Sequence, residues 1–293
     1  MQFVSLASGS KGNCYYLASD EGAFLIDCGI SLKRLVAGVE AQTPGGMENL
    51  GGIFITHEHR DHVAGLGPLL RRYHIPCYGT AATLEALGEG VIGKVDPSLM
   101  RPLEGEAMEL ADFAIGWTRV SHDAADPVSY QILWREKKIG MLTDAGRLSD
   151  DNLEALADSD LLLIEANHDR EMLRLGPYPV SLKRRIASDH GHLSNETCAQ
   201  ALSGLIGGHT KHVVLAHLSE KNNLPQRAFH TVYDQLHQTP PKAAHFRLWV
   251  AQRSCRWHSP SDQRLHINMR RSCKKVENRS EHEQQRSAEH RRI

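Results

Sequence analysis

Apolar positions in this chain fall into short runs that alternate with longer stretches of helical periodicity. Short runs rich in β-branched and aromatic residues are typical of strands, and apolar residues spaced three and four apart are typical of amphipathic helices. The pattern predicts strands at 2–7, 14–18, 22–27, 52–56, 112–120, 128–134, 138–143, 160–165, 211–216 and 245–250. It predicts helices near 31–40, 62–73, 80–87, 150–157, 194–206 and 225–237. Strand runs and helices in each half of the chain predict two sheets flanked by helices.

The strand predicted at 52–56 leads directly into a segment dense in metal-binding side chains, Thr56-His57-Glu58-His59-Arg60-Asp61-His62. His57 and His59 stand two apart, so in an extended segment they point the same way and can bind one ion. Asp61 and His62 lie where the chain turns into a helix, and they point toward a second position. A lone histidine is usually structural, but this cluster would be costly to bury without a cation.

This HxHxDH pattern resembles the signature of the metallo-β-lactamase superfamily, and later segments resemble further motifs of that family in the same order. They are 24–29 (FLIDCG), 120–124 (VSHDA), 139–146 (IGMLTDAG) and 213–219 (VVLAHLS). The resemblance implies the α/β class, with a four-layer αββα sandwich and ligands on loops along one edge of the paired sheets. It also implies that Asp27 orients a metal-binding histidine.

Taken residue by residue, the resemblance implies a centre for two divalent ions, with zinc or manganese as the expected metals. One ion is expected on His57, His59 and His122, and a second on Asp61, His62 and His217. Asp144 is expected to be shared between them. Such a pair of ions holds a bridging water as hydroxide near neutral pH, so hydrolysis is the expected chemistry.

Other segments resemble the YycJ/WalJ-type branch of the superfamily, among them 6–14 (LASGSKGNC), 164–169 (IEANHD), 178–195 and 217–223. This resemblance implies a phosphodiesterase or nuclease, specifically a 5′-to-3′ exonuclease on DNA rather than RNA, with a connection to DNA repair. Asp61 or Asp144 would orient the nucleophile, and one metal or His192 would assist departure of the sugar oxygen. The expected substrate contacts are Ser10, Lys11, Asn13, Asn167, His168 and His192.

Several alternatives remain open on the sequence. The glycines of 8–13 also suit a plain tight turn, Ser194 caps a helix without needing a ligand, and the loop at 167–168 can be purely structural. A glyoxalase II-like thioesterase or lactone hydrolase would use the same ligand set. A metal-bearing regulatory or scaffold protein is a further possibility from a different class.

Composition limits the class of protein and its expected cellular location. The chain has 293 residues, of which 41% are hydrophobic, so a sizeable core can be buried. No apolar run is long enough to cross a membrane and no secretory leader is evident, and the six cysteines show no close pairs. These features predict a cytoplasmic protein without a membrane partner. They argue against an exported, antibiotic-degrading lactamase.

Charge is distributed unevenly along the chain. The net charge is −1, but residues 253–293 hold eleven Lys and Arg against five Asp and Glu, which leaves residues 1–252 with an excess of acids. Nucleic-acid enzymes usually present basic surfaces, and the candidate contacts here are Arg71, Arg72 and residues 183–185. We predict a catalytic domain over 1–252 and a polar, disordered extension over 253–293. That extension could be a nucleic-acid-binding arm, a solvated tail or the product of a shifted reading frame.

Overall fold

A computed structural model of the chain describes residues 1–43, 45–238 and 246–251, together with the backbone of 255–258 and 266–268. The strands are β1 Gln2–Ala7, β2 Cys14–Ala18, β3 Ala23–Ile26, β4 Leu50–Phe54, β5 Cys77–Gly79, β6 Met100–Pro102, β7 Ala107–Leu110, β8 Phe113–Arg119, β9 Val128–Trp134, β10 Lys137–Leu142, β11 Leu161–Glu165, β12 His212–Ala216, β13 Arg247–Val250, β14 Cys255–His258 and β15 His266–Asn268. The helices are α1 Leu32–Glu40, α2 Arg60–Val63, α3 Leu66–Tyr73, α4 Ala81–Ala86, α5 Asp150–Leu156, α6 Arg170–Leu175, α7 Val180–Ile186, α8 Asn195–Leu205 and α9 Pro225–Gln238.

The strands form two sheets. The first has the order β15-β14-β1-β2-β3-β4-β5-β6, and the second has the order β13-β12-β11-β10-β9-β8-β7. In the second sheet β10 to β13 run parallel, and β8 has the same direction because it is separated from β10 by the antiparallel β9. The carboxyl ends of these strands therefore meet along one edge.

Successive side chains of a strand point to opposite faces of its sheet. They form three apolar layers, one between the two sheets and one between each sheet and its helices. Phe24 and Ile26 of β3 face the other sheet, whereas Ala23 and Leu25 face α1 and α3. In β11 Leu161 and Leu163 likewise face the inter-sheet core. Leu162 and Ile164 of the same strand pack toward α5, α8 and α9. Strands that are buried on both faces must be apolar throughout, and this explains the continuous hydrophobic runs seen in the sequence. The result is the predicted αββα sandwich.

Most predicted elements are present with small shifts in their bounds. The helix predicted at 62–73 is divided into α2 and α3 at Gly65, where a Cβ would lie 2.0 Å from the carbonyl oxygen of Ile30. Strands β5, β6 and β7 and helices α6 and α7 were not predicted. Two short strands of the segment 253–293 are described, and β14 pairs antiparallel with β1. The rest of that predicted extension lies outside the described residues.

Candidate metal centre

The first group of candidate ligands joins the loop after β4 to the loop after β8. His57, His59 and His122 each place one ring nitrogen within 4.8 Å of the others. His122 Nδ1 donates to the carbonyl oxygen of Gly191 at 2.9 Å, and this leaves its Nε2 directed at His59 Nδ1, 3.3 Å away. Three imidazoles thus converge on one small space.

The second group uses the same loop and the end of β12. Asp61, His62 and His217 also lie within ligand distance of one another, with His217 Nε2 3.3 Å from Asp61 Oδ2. Asp27 is fully buried behind this group and accepts a hydrogen bond from His62 Nδ1 at 2.7 Å. Thr56 donates its backbone N–H to the same carboxylate at 2.9 Å. Asp27 therefore fixes the ring of His62 so that Nε2 faces the centre.

Asp144 lies between the two groups, just after β10. Its Oδ2 is 3.0 Å from His62 Nε2, and its Oδ1 is 4.0 Å from His122 Nε2. The same carboxylate joins His57 and His62 in one candidate ligand set. One carboxylate in contact with members of both groups is the arrangement that a bridging ligand requires.

Glu165, at the end of β11, is a functional residue that the sequence reasoning missed. Its Oε1 accepts hydrogen bonds from His192 Nδ1 at 2.7 Å and from His217 Nδ1 at 2.8 Å. Its Oε2 accepts the backbone N–H groups of Ala145 and Leu193, each at 3.1 Å. The carboxylate is fully buried, so it sets the tautomer and orientation of both histidines.

The electrostatics of the centre follow from burial and crowding. Burial lowers the pKa of His57 well below its usual value and also lowers that of His122. Burial acts in the same direction on His217, but the Asp144 charge and hydrogen bonds to Asp61 and Glu165 outweigh it and raise the pKa to about 10. The Glu165 pKa falls to about 2 although burial opposes the shift, because His192 and His217 stabilise the carboxylate.

Backbone geometry brings these side chains together under strain. Asp27, Asp144 and His217 each follow a strand with φ of 57°, 52° and 50°, in the left-handed region that residues with side chains rarely adopt. Gly29 lies so close to the ligand loop that a Cβ there would be 1.7 Å from the carbonyl oxygen of Asp61. Strained residues of this kind are concentrated at functional sites.

The predicted substrate contacts are distributed unevenly around the centre. Asn13 is fully buried and its Nδ2 lies 3.0 Å from His62 Nε2, so it contacts a candidate ligand directly. Ser10 is exposed at the neighbouring turn, and Lys11 is exposed and pairs with Glu220 at 2.6 Å. Gly12 donates its N–H to the carbonyl oxygen of Gly9 within this turn.

The other predicted contacts lie on the opposite side of the centre. Asn167 Nδ2 donates to the carbonyl oxygen of His217 at 3.1 Å, within a hydrogen-bonded loop. His192 Nδ1 lies 3.5 Å from Asp144 Oδ1, so this ring borders the candidate ligands. His168 is buried, and burial lowers its pKa to about 4.

The donor set suits divalent metal ions. His57 Nε2 is buried without a hydrogen-bond partner among the described residues, although it points toward the other ligands. His62 donates Nδ1–H to Asp27, so a neutral ring turns its Nε2 lone pair toward the Asp144 carboxylate, an arrangement that needs a cation or a proton between them. Nitrogen and carboxylate donors in two adjoining groups match the preferences of zinc and manganese.

Comparison with known proteins agrees with this geometry. Residues 23–218 match the family model described as the beta-lactamase superfamily domain. The chain is 40% identical to Exodeoxyribonuclease YycJ of Bacillus anthracis over 230 residues, 78% of this chain and 86% of that protein. It is 41% identical to Exodeoxyribonuclease WalJ of Streptococcus pneumoniae over 239 residues, 81% of this chain and 88% of that protein.

Solved structures support the same fold. The metallo-β-lactamase fold protein YhfI of Bacillus subtilis superposes with a TM-score of 0.62 at 16% identity, covering 87% of this chain and 98% of that chain. Of the helices in the described residues, none is long and apolar enough to cross a membrane. The chain belongs to the metallo-β-lactamase superfamily, in the branch that contains YycJ and WalJ.

Proposed function

We propose that this protein is a metal-dependent exodeoxyribonuclease that removes nucleotides from DNA in the 5′-to-3′ direction. The observation that carries the proposal is the pair of adjoining ligand groups joined by Asp144. The relatives named exodeoxyribonucleases, which share about two fifths of their residues with this chain over most of its length, supply the substrate class.

Two divalent ions, zinc or manganese, would be held by the residues named from the sequence. His57, His59 and His122 would bind one ion, and Asp61, His62 and His217 would bind the second, with Asp144 common to both. When bound, such ions lower the pKa of water and stabilise charge on the phosphoryl oxygens. His62 and His217, whose pKa values are raised by the surrounding carboxylates despite burial, would have to release protons to serve as ligands.

Side chains of the protein supply the proton transfer and orient the attacking water. Glu165 holds Nδ1–H of His192, so the Nε2 of this ring is free to face a substrate. Burial opposes the shift, but the charge of Glu165 and its hydrogen bond raise the His192 pKa, which favours the protonated form of this ring. We assign His192 the role of delivering a proton to the departing sugar oxygen. Asp61 and Asp144 orient the attacking water.

A purified-protein assay tests this function. The protein loaded with Mn²⁺ or Zn²⁺ is incubated with 3′-labelled single- and double-stranded DNA, matched RNA, bis-p-nitrophenyl phosphate and S-lactoylglutathione. We expect stepwise shortening of DNA from the 5′ end and hydrolysis of the phosphodiester. Cleavage of S-lactoylglutathione alone would favour the thioesterase alternative, and inactivity on every substrate with metals bound would favour the scaffold alternative.

Two further predictions accompany the nuclease proposal. A role in DNA repair is consistent with an exonuclease that acts on DNA ends. A cytoplasmic location is consistent with the four buried free cysteines that the structure describes, Cys14, Cys28, Cys77 and Cys198. Fractionation of cells that express a tagged protein would test the location.

A further inference from the structure

A cavity of about 670 Å³ adjoins the candidate metal centre. It is bounded by α6, α7, the first turn of α8 and the loop that follows Asp144. His192 is part of its wall, and the same ring lies 3.5 Å from an oxygen of Asp144. A molecule in this cavity would therefore reach the reacting centre along the side of His192.

The cavity carries an excess of positive charge. Its basic lining residues are Arg147, Arg170, Arg174, Lys183 and Arg184, and Asp189 is the acid that accompanies them. Arg174 is paired with Glu171 on the same helix, and Arg170 is paired with Glu196 on α8. Arg147 and Arg184 have no carboxylate partner among the residues that the structure describes. The Lys183 ammonium donates to a neutral backbone carbonyl oxygen at 2.8 Å. Three charges are thus left for an anionic ligand.

Three further features of the cavity suit a nucleotide. Ser194 and Thr197 of its wall form the amino-terminal turn of the 11-residue helix α8, where the helix dipole favours an anion. Leu173 and Val180 supply apolar wall that suits a base or a sugar. His168 is 2% exposed, and its Nδ1 has no hydrogen-bond partner within the described part of the chain.

We propose that this cavity holds the terminal nucleotide that the enzyme removes, so that its product is a nucleoside monophosphate bound beside the metal centre. The proposal rests on the proposed exonuclease function. An exonuclease substrate has one nucleotide on one side of the scissile bond and a long strand on the other. The cavity volume lies within the range of about 300–1,000 Å³ of small-molecule sites, so it suits the single-nucleotide side.

The step balances without an additional reactant. Water forms a bond to the scissile phosphorus while the bond from phosphorus to the sugar oxygen of the terminal nucleotide breaks. That oxygen gains a proton, and the proton that the attacking water loses balances it. The shortened strand keeps the new phosphate, and the released nucleotide stays in the cavity until it dissociates. In this arrangement the basic side chains of the cavity contact the phosphate that the terminal nucleotide already carries.

Calorimetric titration of the Mn²⁺-loaded protein with deoxyadenosine 5′-monophosphate tests the site. We expect binding to the unmodified protein, and a loss of affinity of at least tenfold in the double variant Arg147→Gln/Arg184→Gln. Lys183→Gln should weaken binding severalfold. The control is Arg34→Gln, an exposed arginine on α1 in the helical layer of the other sheet, which should bind as the unmodified protein does. Deoxyadenosine, without the phosphate, should bind at least tenfold more weakly.

A second measurement separates the cavity from the metals. Turnover of bis-p-nitrophenyl phosphate should change less than twofold in the double variant, because this substrate carries no terminal nucleotide. Equal nucleotide affinity in the double variant and the unmodified protein would overturn the proposal, as would a parallel tenfold loss of turnover. If the unmodified protein does not degrade DNA but shows the expected binding differences, the exonuclease proposal fails while the nucleotide site stands.

Discussion

Replacing Glu165 with glutamine tests whether one buried carboxylate orients two histidines of the centre. Each oxygen of Glu165 accepts two hydrogen bonds, one oxygen from His192 and His217 and the other from the backbone N–H groups of Ala145 and Leu193. Glutamine has the same shape but keeps only one acceptor oxygen. Its NH2 group takes the place of the other oxygen and faces two N–H donors with which it cannot form hydrogen bonds. In Glu165→Gln, two buried N–H groups therefore lose their acceptor.

The size of the effect follows from those contacts. Each buried donor left without an acceptor costs about 1–3 kcal/mol of free energy, so two donors cost roughly 2–6 kcal/mol. This loss is shared between the stability of the fold and the affinity of the centre for metal. Residues that orient metal ligands typically contribute about 10–100-fold to metal affinity or activity. We expect Glu165→Gln to bind metal 10–100-fold more weakly and to lose turnover by a similar factor.

Asp160 offers a matched control at the opposite end of the same strand. It is also a buried carboxylate, and it pairs with Lys137 at 3.0 Å and accepts the backbone N–H of Lys138 at 3.1 Å. Metal content by mass spectrometry, bis-p-nitrophenyl phosphate turnover and the unfolding midpoint are measured in both variants. Asp160→Asn should lose stability but keep metal affinity and turnover. Metal affinity and turnover within twofold of normal in Glu165→Gln would refute the reasoning, as would an equal loss of both in Asp160→Asn.

Three other changes give separate tests. Gly29→Ala places a Cβ 1.7 Å from the carbonyl oxygen of Asp61. This variant should therefore lose about 1–3 kcal/mol or more of unfolding free energy and bind less metal. Gly204→Ala, with open space around the new Cβ, should stabilise helix α8 by up to about 1 kcal/mol, and thermal unfolding compares the two. Asp144→Ala should abolish metal retention and turnover together, and full turnover in this variant would exclude a shared carboxylate. Although burial opposes it, the Asp144 charge helps raise the His217 pKa from 6.5 to about 10. In metal-free protein this stabilisation is complete below pH 6.5 and is lost as the pH rises through about 10, so a urea midpoint that does not fall over that window would contradict the assignment.

The hydrophobic pattern predicted secondary structure well for buried strands and helices. It predicted poorly the short or exposed elements at the surface. Strands such as β11, with every residue buried, leave an apolar run that is easily recognised. Helix α7 buries none of its side chains and leaves Val180 exposed, so no apolar face marks it as a helix. The unpredicted strands β5, β6 and β7 are three or four residues long, too short for alternation to be distinguished from chance.

The candidate ligands and Glu165 illustrate the same limit at the level of the site. A cluster such as His57 to His62 can be recognised because its members are neighbours in the sequence. Glu165 is one acid at the end of an apolar strand, and its histidine partners are 27 and 52 residues away in the chain. Only the parallel pairing of β10, β11 and β12 brings the three strand ends together. Its role therefore depends on tertiary contacts that local pattern does not contain.

The left-handed residues at the strand ends connect the fold to the chemistry. Asp144 and His217 adopt φ of 52° and 50°, which costs on the order of 1–3 kcal/mol for each residue with a side chain. Glycine would relieve this strain but would remove the donor atom. The conformation is held because His217 bonds to Glu165 at 2.8 Å and Asp144 contacts His62 at 3.0 Å, both within a buried environment. Because Glu165 ends another strand of the second sheet and His62 lies in α2 after the first sheet, binding of an ion to these groups would stabilise elements of both sheets and not one loop alone.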